Sequence, residues 1–425
     1  MSLKASLGTL AAFVDASLRL NSVAYRDELE ERQARRLARF LNGPASKVPA
    51  FTGYRGLPLQ DWPTMDKAQL MADFALYNRL GMTTAEAWAH FENGTAPEGY
   101  AIGASTGTSG NRGLYVVSEA ERYRWLGVML SRALPDVLTR RHRVAVVLPA
   151  NSRLYDAANE SRHLALQFFD LAQGIEAQFA PLEDFRPTVI VAPPKFLRAL
   201  AESDTNISPA RIFSGAEVLD DEDRLIIQSR FGVIVREIYM ATEGLFAVGC
   251  EKGSLHLIED HVHFEFEPVE GSDTLVSPLI TDFSRTTQIM VRFRMNDVLE
   301  LAKRPCNCGR PHRVIKAVHG RCDDVFQLMS GDGKKVRITP DVIRNAIIGT
   351  DRSVRDFRVV QTGRNAVELT LPTANAPRVT AACEALQVLF ASCGAVPEVT
   401  AQAAALMPPS GHKLRRVSVA PEALT

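Results

Sequence analysis

A run of hydroxyl-bearing and glycine residues at positions 105–113, Ser-Thr-Gly-Thr-Ser-Gly-Asn-Arg-Gly, has the composition of a phosphate-binding loop. Backbone N–H groups in such a loop can surround phosphate oxygens because glycine permits close approach, and the hydroxyls add further donors. The spacing differs from that of a Walker A loop, in which Gly-Lys-Ser/Thr follows four intervening residues. Composition alone leaves a phosphate site and a polar surface loop as alternatives.

Two short motifs each follow a predicted strand. Gly215-Ala-Glu217 follows the strand RIFS, and Tyr239-Met-Ala-Thr-Glu-Gly244 follows the strand VIVRE. Ligands of open α/β sheets bind just outside the carboxyl ends of strands. An aromatic ring, a hydroxyl and a carboxylate so close together could stack on a base, contact a phosphate and bind Mg²⁺, which prefers oxygen ligands. Each motif taken alone also fits an ordinary strand-to-helix turn.

Three motifs in the second half of the chain supply charged side chains. Arg292-Phe-Arg-Met-Asn-Asp297 and Gly320-Arg-Cys-Asp-Asp324 offer carboxylates and guanidinium groups for a ribose or a phosphate. Pro409-Ser-Gly-His-Lys-Leu-Arg-Arg416 places a lysine in a polar segment near the C-terminus, where its ammonium group could bind an oxyanion. The structural alternatives are surface ion pairs and a basic, frayed tail.

Four soft or borderline metal ligands, Cys250, His256, Cys306 and Cys308, lie in the predicted β region. Zn²⁺ prefers tetrahedral sulfur and nitrogen ligands, and a closed four-ligand site is structural. His312 is a possible substitute for any one of them. The alternative is four unrelated reduced residues, because Cys-x-Cys is a less common spacing than Cys-x-x-Cys.

The elements that must position these groups follow a changing pattern. The first hundred residues are mostly of helical type, and residues 116–138 predict a further helix. Between residues 142 and 240, short apolar strands alternate with helices, which indicates βαβ units and a largely parallel sheet. Past residue 250, short alternating segments indicate an antiparallel β region. The predicted class is α/β, with a large domain over residues 1–321 and a small α+β domain over residues 322–425.

Composition excludes several classes of function. Among the 425 residues, 49 Lys+Arg balance 49 Asp+Glu, which argues against a global basic field for nucleic acid or an anionic membrane. No apolar run approaches the ~18 residues that a membrane helix needs. The N-terminal segment lacks a signal-peptide core followed by a cleavage site. We therefore expect a cytoplasmic protein that binds neither nucleic acid nor membrane.

The order and rough spacing of the six motifs resemble those of the acyl-adenylate-forming enzymes, the superfamily of acyl-CoA synthetases, luciferases and peptide-synthetase adenylation domains. The phenylacetate–coenzyme A ligase branch is the more similar one. Residues 253–265 resemble that branch's segment after the Thr-Glu motif, and residues 306–324 resemble its cysteine-containing approach to the hinge. The resemblance extends from about Trp62 to Arg416.

This resemblance implies a nucleotide site and its residues. Tyr239 is expected to stack on adenine, and Thr242 to contact phosphate. Asp297 is expected to accept hydrogen bonds from the ribose hydroxyls, with Arg321 nearby. The other expected residues are Ser105, Thr106, Gly107, Thr108, Ser109 and Gly110 in the triphosphate loop, and Gly215, Ala216 and Glu217 in the adenine pocket.

The resemblance also implies the catalytic groups. Lys413 is expected to bridge the acyl carboxylate and the α-phosphate during adenylation, with Thr242 and with Glu243 as the Mg²⁺ ligand. Mg²⁺ and the lysine offset charge on the phosphate oxygens, and no general base is needed because the acid is already ionised. Asp323 is expected to be the hinge of the small domain, which would remove Lys413 for the second half-reaction.

The implied function is an ATP-dependent ligase that activates a carboxylic acid, favoured as aromatic, and passes the acyl group to coenzyme A or a carrier-protein phosphopantetheine. One alternative uses an amine or a phosphorylated cofactor as acceptor. Another is a nucleotide-binding homologue without catalysis. The branch includes members with a structural metal at the cysteine segment, so Cys250, His256, Cys306 and Cys308 are expected zinc ligands. The habit of the branch also suggests a homodimer.

Overall fold

The computed structural model describes residues 3–105, 112–148, 163–270, 272–351, 354, 356–406 and 415–424. It confirms the predicted α/β class, with a mixed sheet of 12 strands in the described part of the chain. The helices are α1 (Leu3–Asn21), α2 (Arg26–Asn42), α3 (Lys67–Ala72), α4 (Thr84–Glu92), α5 (Glu119–Ala133), α6 (Phe179–Phe185), α7 (Pro194–Ala201), α8 (Asp221–Phe231), α9 (Pro340–Ile348) and α10 (Val379–Ser392).

The strands alternate with helices in the middle of the chain and follow one another after it. They are β1 (Tyr100–Ala104), β2 (Leu114–Ser118), β3 (His142–Leu148), β4 (Leu164–Asp170), β5 (Val189–Ala192), β6 (Arg211–Gly215), β7 (Val235–Ala241), β8 (Gly244–Gly249), β9 (Leu255–Leu257), β10 (Val262–Pro268), β11 (Leu275–Asp282), β12 (Phe293–Arg294), β13 (Asp297–Leu301), β14 (Val314–Arg321), β15 (Phe326–Met329), β16 (Lys335–Ile338), β17 (Arg358–Gly363), β18 (Ala366–Pro372), β19 (Glu398–Ala404) and β20 (Val417–Val419).

The chain forms two compact units. The first comprises Met1–Phe266, Leu279–Met295 and Leu301–Lys316. The second comprises Glu267–Pro278, Asn296–Glu300 and Ala317–Thr425. Within the described ranges, no helix is both long enough and apolar enough to cross a membrane.

The first unit is built on a parallel sheet. Strands β4, β3, β5, β6 and β7 lie side by side in that order and run parallel. Antiparallel pairing then continues through β8 and β9 to Val314 and Ile315 of β14. Both faces of the parallel part are covered, which explains why its strands are mainly apolar.

Alternation along β3 shows how the two faces are packed. Val144 and Val146 lie in one buried cluster with Phe13 of α1 and Leu126 of α5. The intervening Ala145 belongs to a second cluster, which contains apolar residues of α6, α7 and α8. Because side chains of a strand point alternately to opposite faces, the sheet is enclosed between two helical layers.

The predicted helix over residues 116–138 is wrong at its start. Leu114–Ser118 form β2, which pairs antiparallel with β1, and α5 begins only at Glu119. The Ser118 side chain accepts a hydrogen bond from Glu121 N, and the Glu121 carboxylate accepts from the Ser118 backbone. This capping box fixes the strand-to-helix boundary, which apolar periodicity alone did not reveal.

The second unit contains its own core. Strands β19, β18, β17 and β20 form a four-stranded sheet, in which β17 and β18 are antiparallel and the outer pairs are parallel. Phe326, Ile343 and Phe390 join residues of β17 and β18 in one buried cluster. The β15–β16 hairpin and the helices α9 and α10 supply these contacts.

Candidate functional site

Two predicted nucleotide motifs meet at one edge of the parallel sheet. Gly215, the last residue of β6, lies opposite Ile238 of β7 in a parallel register. Ala216 and Glu217 therefore leave β6 beside Tyr239, the next residue of β7. The convergence of these motifs follows from the parallel strand order, since carboxyl ends of neighbouring parallel strands share an edge.

The chain turns sharply where β6 ends. Ala216 has a φ of 70°, which lies in the left-handed region. A residue with a Cβ pays about 1 kcal/mol or more for this conformation, and such strain tends to occur where a ligand constrains the backbone. The strained turn at Ala216 is thus compatible with the adenine-pocket role predicted for it, which stays a prediction.

The Tyr239 ring is half-buried and packs against the fully buried Phe246 of β8, with ring centroids 5.4 Å apart. Tyr239 also lies opposite Ala247 across the β7–β8 pair. A ring supported in this way offers a fixed aromatic surface for a planar base.

Thr242 and Glu243 form the turn between β7 and β8, which pair antiparallel up to Ala241 and Gly244. The alternative of a strand-to-helix turn at this motif is therefore wrong, because a hairpin follows β7. The buried Arg285 donates from Nη1 to the Glu243 carbonyl oxygen over 2.8 Å. This contact fixes the turn that carries both side chains.

A cavity of about 90 Å³ lies next to this turn, and we call it the Thr242 cavity. Thr242, Ala241 and Gly244 form one wall, and residues of β2 and α5 form another. Its other lining residues are Tyr115, Val117, Glu121, Arg122, Arg124, Trp125, Val128, Met240, Leu245, Ile258, His261, Val262, Asp282, Ser284 and Arg285.

The buried Glu121 organises one side of the Thr242 cavity. Its carboxylate accepts hydrogen bonds from Ser118 N at 2.7 Å, Thr287 N at 2.8 Å and Thr287 Oγ1 at 2.6 Å, and from Thr286 N. Burial alone would raise the pKa of Glu121, but these hydrogen bonds hold that pKa below its usual value. Glu121 is therefore an ionised structural clamp between α5 and residues 286–287.

A further wall of the cavity is formed by residues 258–262, and contacts from α2 fix its main chain. Gln33 of α2 donates to the carbonyl oxygens of Glu259 and Val262 at 2.7 and 3.2 Å. Arg26 of α2 pairs with the fully buried Glu259 carboxylate at 2.5 Å, and Arg313 pairs with the same carboxylate at 2.8 Å. The main chain at 259–262 is thus fixed by residues that are distant in the sequence.

The predicted phosphate loop, residues 105–113, is described only at its ends. Thr106, Gly107, Thr108, Ser109 and Gly110 lie outside the described residues. Ser105 N donates to the Gly113 carbonyl oxygen at 2.7 Å, and Gly113 N donates to Ser105 Oγ at 2.8 Å, so the two ends are joined. Lys67 Nζ donates to Ser105 Oγ at 3.3 Å, which places a cation at the base of the loop.

Asp297 and Arg321 belong to the second unit. Asp297 begins β13 and Arg321 ends β14. The next residue, Cys322, donates from its backbone N to the Asn296 carbonyl oxygen at 3.1 Å, and Asp323 bonds the Asn296 side chain. These contacts bring the predicted ribose and hinge motifs together within that unit, whereas Lys413 lies outside the described residues.

The four predicted metal ligands converge, as the sequence suggested. The ligand atoms of Cys250, His256, Cys306 and Cys308 all lie within 4.8 Å of one another in the first unit. Cys250 Sγ is 3.8 Å from Cys306 Sγ, and Cys308 Sγ is 3.2 Å from His256 Nε2. Tetrahedral zinc with its usual bond lengths needs ligand separations of about 3.4–3.8 Å, so the cluster is close to the required size.

The surroundings of His256 suit a metal ligand. Its Nδ1 lies 3.1 Å from the His312 carbonyl oxygen, which assigns the proton to Nδ1 and leaves Nε2 to face the cysteines. Burial lowers the pKa of His256 to about 4, so the imidazole is neutral at pH 7. Burial also raises the pKa of the Cys308 thiol to about 12, so its thiolate requires a neighbouring cation. Three sulfurs and one imidazole form a donor set that fits zinc.

Two curated proteins have similar sequences, and the one that matches more of this chain is a ligase. Phenylacetate-coenzyme A ligase of Thermus thermophilus is 25% identical over 203 residues, which is 44% of each chain. Protein CapK of Staphylococcus aureus is 29% identical over 126 residues, 29% of this chain and 28% of that protein. The matched segments therefore span less than half of either relative. No protein-family model matches the sequence.

Solved structures match over much more of the chain. 2-Hydroxyisobutyryl-CoA ligase in its postadenylation state with 2-HIB-AMP has a TM-score of 0.67 and 18% identity, and the match covers 92% of this chain and 90% of that one. The predicted resemblance to acyl-adenylate-forming enzymes is confirmed. Amide bond synthetase McbA of Marinactinospora thermotolerans has a TM-score of 0.54, with 13% identity over 75% of this chain and 68% of that one. These structural matches show the fold.

Several residues of the site were not predicted. Lys67, Glu121, His261 and Arg285 lie outside the six motifs. Glu121 had a local signal, because Ser118 and Glu121 have capping-box spacing. The remaining three residues reach the site through tertiary contacts that no local sequence pattern indicates.

Proposed function

We propose that the protein is an ATP-dependent ligase that activates a carboxylic acid as its acyl adenylate and transfers the acyl group to the thiol of coenzyme A. The observation that carries this proposal is the pairing of Gly215 with Ile238, which brings the two predicted nucleotide motifs to one sheet edge beside the Thr242 cavity. The CoA ligases named above support the class of reaction.

In the first half-reaction, a carboxylate oxygen of the acid attacks the α-phosphorus of ATP in line and pyrophosphate leaves. Tyr239 supports the adenine, and the Gly215–Glu217 turn borders it. Thr242 contacts phosphate from a turn that Arg285 fixes, and Lys413 neutralises the oxyanion in our proposal. Mg²⁺, when bound by the half-buried Glu243 carboxylate, supplies further charge neutralisation.

In the second half-reaction, the thiol sulfur attacks the acyl carbon, the bond from that carbon to the phosphate oxygen breaks, and AMP leaves with release of the thiol proton. Asp297 and Arg321 hold the ribose in our proposal. The carrier-protein acceptor, the homodimer, the cytoplasmic location and the aromatic class of acid remain predictions from the sequence.

An amine acceptor is the second candidate, because McbA has this fold and is an amide bond synthetase. Coenzyme A is the favoured acceptor because 2-hydroxyisobutyryl-CoA ligase matches 92% of this chain, whereas McbA matches 75%. The adenylation step is common to both candidates.

Exchange of radiolabelled pyrophosphate into ATP over a panel of short aliphatic, hydroxylated and aryl acids tests the adenylation step. Addition of coenzyme A or of primary amines, with mass-spectrometric detection of thioester or amide, then identifies the acceptor. We expect thioester. Glu243→Gln should suppress exchange, whereas the exposed Glu398→Gln serves as a matched control. Nucleotide binding without exchange for any acid would contradict the proposal and favour a non-catalytic homologue.

We further propose that Cys250, His256, Cys306 and Cys308 hold a structural zinc ion. The size of the cluster, its donor set and the His312 carbonyl behind His256 support this proposal. With four protein ligands, the ion ties the β8–β9 turn to the loop before β14 and has no position left for substrate.

A further inference from the structure

The Thr242 cavity has features that bear on the acid itself. We propose that it takes a short aliphatic acyl group that bears a hydroxyl, and that His261 is the residue that recognises this hydroxyl. The inference rests on the proposed function, because it names the class of acid that the same site activates.

Volume is the first argument. The cavity measures about 90 Å³, whereas an apolar protein cavity of about 150 Å³ is the size that takes up benzene. The walls formed by Val128 and Leu245 cannot easily move outward, because both residues belong to the buried core of the first unit. Displacement of core side chains is costly in a close-packed interior. A space of this size suits a branched or linear acyl group of a few carbons better than a phenyl ring.

The polar groups around the cavity are the second argument. Arg285 donates to the Glu243 carbonyl oxygen, and Arg124 donates to the Ser284 carbonyl oxygen. Glu121 accepts from Ser118, Thr286 and Thr287, as described above, and Asp282 accepts from Ser284 Oγ at 2.6 Å. These groups are engaged with the protein itself, so they serve the shape of the cavity.

His261 differs from those groups. It lines the cavity and is 5% exposed. Its Nε2 lies 3.5 Å from Asp260 Oδ2, and Asp260 is itself paired with Arg132 at 2.5 Å. The negative charge of Asp260 favours the tautomer with the proton on Nε2, which leaves Nδ1 as a hydrogen-bond acceptor. Burial lowers the pKa of His261 to about 3, so the ring is neutral at pH 7.

A neutral imidazole acceptor on the cavity wall suits a hydroxyl donor on the acyl chain. A site of this kind discriminates strongly against the analogue that lacks the hydroxyl, because its buried polar group is then left unpaired. Asp260 acts through His261 and is a positioning residue.

The first test compares matched acids with the unmodified enzyme. Rates of pyrophosphate exchange are measured for 2-hydroxybutyrate, 3-hydroxybutyrate, butyrate, benzoate and phenylacetate. We expect kcat/KM for one hydroxybutyrate to exceed that for butyrate by about tenfold or more, and both aryl acids to be poorer still. Preference for an aryl acid, or equal rates for butyrate and both hydroxybutyrates, would overturn the inference and leave the proposed function intact. Absence of exchange with all acids would overturn both.

The second test uses two variants of one residue. His261→Leu should lower kcat/KM for the preferred hydroxy acid about 10- to 100-fold, with the KM for ATP unchanged and the rate with butyrate little affected. His261→Gln keeps an acceptor oxygen and should recover part of the loss. Equal losses for the hydroxy acid and for butyrate would overturn the role of His261. If His261→Leu does not fold, His261→Gln and the matched acids decide the question.

Discussion

Cys308 Sγ lies 3.2 Å from His256 Nε2, although 52 positions separate the two residues in the sequence. The contact brings the loop before β14 against the short strand β9, and Cys250 and Cys306 complete the group. A cation bound by all four ligands would hold these two segments together.

Zinc removal gives the first prediction. Zinc should co-purify at about one ion per chain, and Cys306→Ser combined with Cys308→Ser should abolish it. We expect the melting temperature to fall by about 5 °C or more, with little change in the KM of enzyme that remains folded. Elemental analysis and calorimetry measure the two effects.

The matched control for the zinc prediction is Cys393→Ser, which replaces an exposed free cysteine. It should change neither zinc content nor melting temperature. A metal-free preparation of full stability would exclude the site, and loss of activity without loss of stability would make the metal catalytic.

Asp297 gives the second prediction. Asp297→Ala should weaken ATP binding by about 1.5–3 kcal/mol, because a charge-assisted hydrogen bond to the ribose is lost. Isothermal calorimetry measures the affinity. Asp332→Asn removes a carboxylate from the β15–β16 turn of the same unit and should leave ATP affinity unchanged. An affinity unaltered by Asp297→Ala would remove this residue from the nucleotide site.

Lys413 gives the third prediction. Lys413→Ala should depress adenylation far more than thiol transfer from a pre-made acyl adenylate, because its proposed contact exists only while the α-phosphate is attacked. Single-turnover rates of the two half-reactions separate the effects. Lys334→Ala, which removes an exposed lysine paired with Asp332, is the control. Equal loss in both half-reactions would contradict the role.

His319 gives a prediction on pH and stability. Its Nδ1 lies 2.7 Å from Asp341 Oδ2 and its Nε2 lies 3.3 Å from Glu300 Oε2, all within the second unit. The hydrogen bond with Asp341, aided by Glu300, outweighs burial and raises the pKa of His319 above its ordinary value of 6.5. Protonated His319 therefore stabilises the fold.

This stabilisation is fully present below about pH 6.5 and is lost as the pH rises through the raised pKa of the folded state. Urea unfolding of the unmodified protein and of His319→Gln should accordingly differ most at low pH and converge at high pH. Asp341→Asn should reduce the same pH dependence. A difference that is constant between pH 5.5 and 8.5 would refute the assignment.

The sequence predicted the elements whose patterns are local. β6 and β7 lie close to the strands predicted at RIFS and VIVRE, because runs of apolar residues determine them. The meeting of Gly215 with Ile238 was also predictable, since parallel order is a rule for alternating strands and helices. The four candidate metal ligands could be proposed from residue type.

Tertiary contacts account for the errors and omissions. Val116 and Val117 continue the apolar spacing of α5, yet pairing with β1 makes them part of β2. Thr242 and Glu243 occupy a hairpin because β8 returns antiparallel to β7. Arg285 and His261 come later in the chain than Thr242 but line the same cavity. Their burial depends on neighbours that no short segment of sequence identifies.

The hold of α2 on residues 259–262 has a consequence for directed evolution of this protein. Gln33 and Arg26 fix the main chain that carries His261, from more than 220 positions away in the sequence. Randomised libraries confined to the lining residues would keep this backbone rigid and sample only side-chain exchanges. Libraries that include Arg26 and Gln33 would also vary the position of the wall, and a gene shortened at its 5′ end past these codons would remove the contacts that fix it. Selectivity for new acids is therefore open to change from α2, without any substitution among the residues that line the Thr242 cavity.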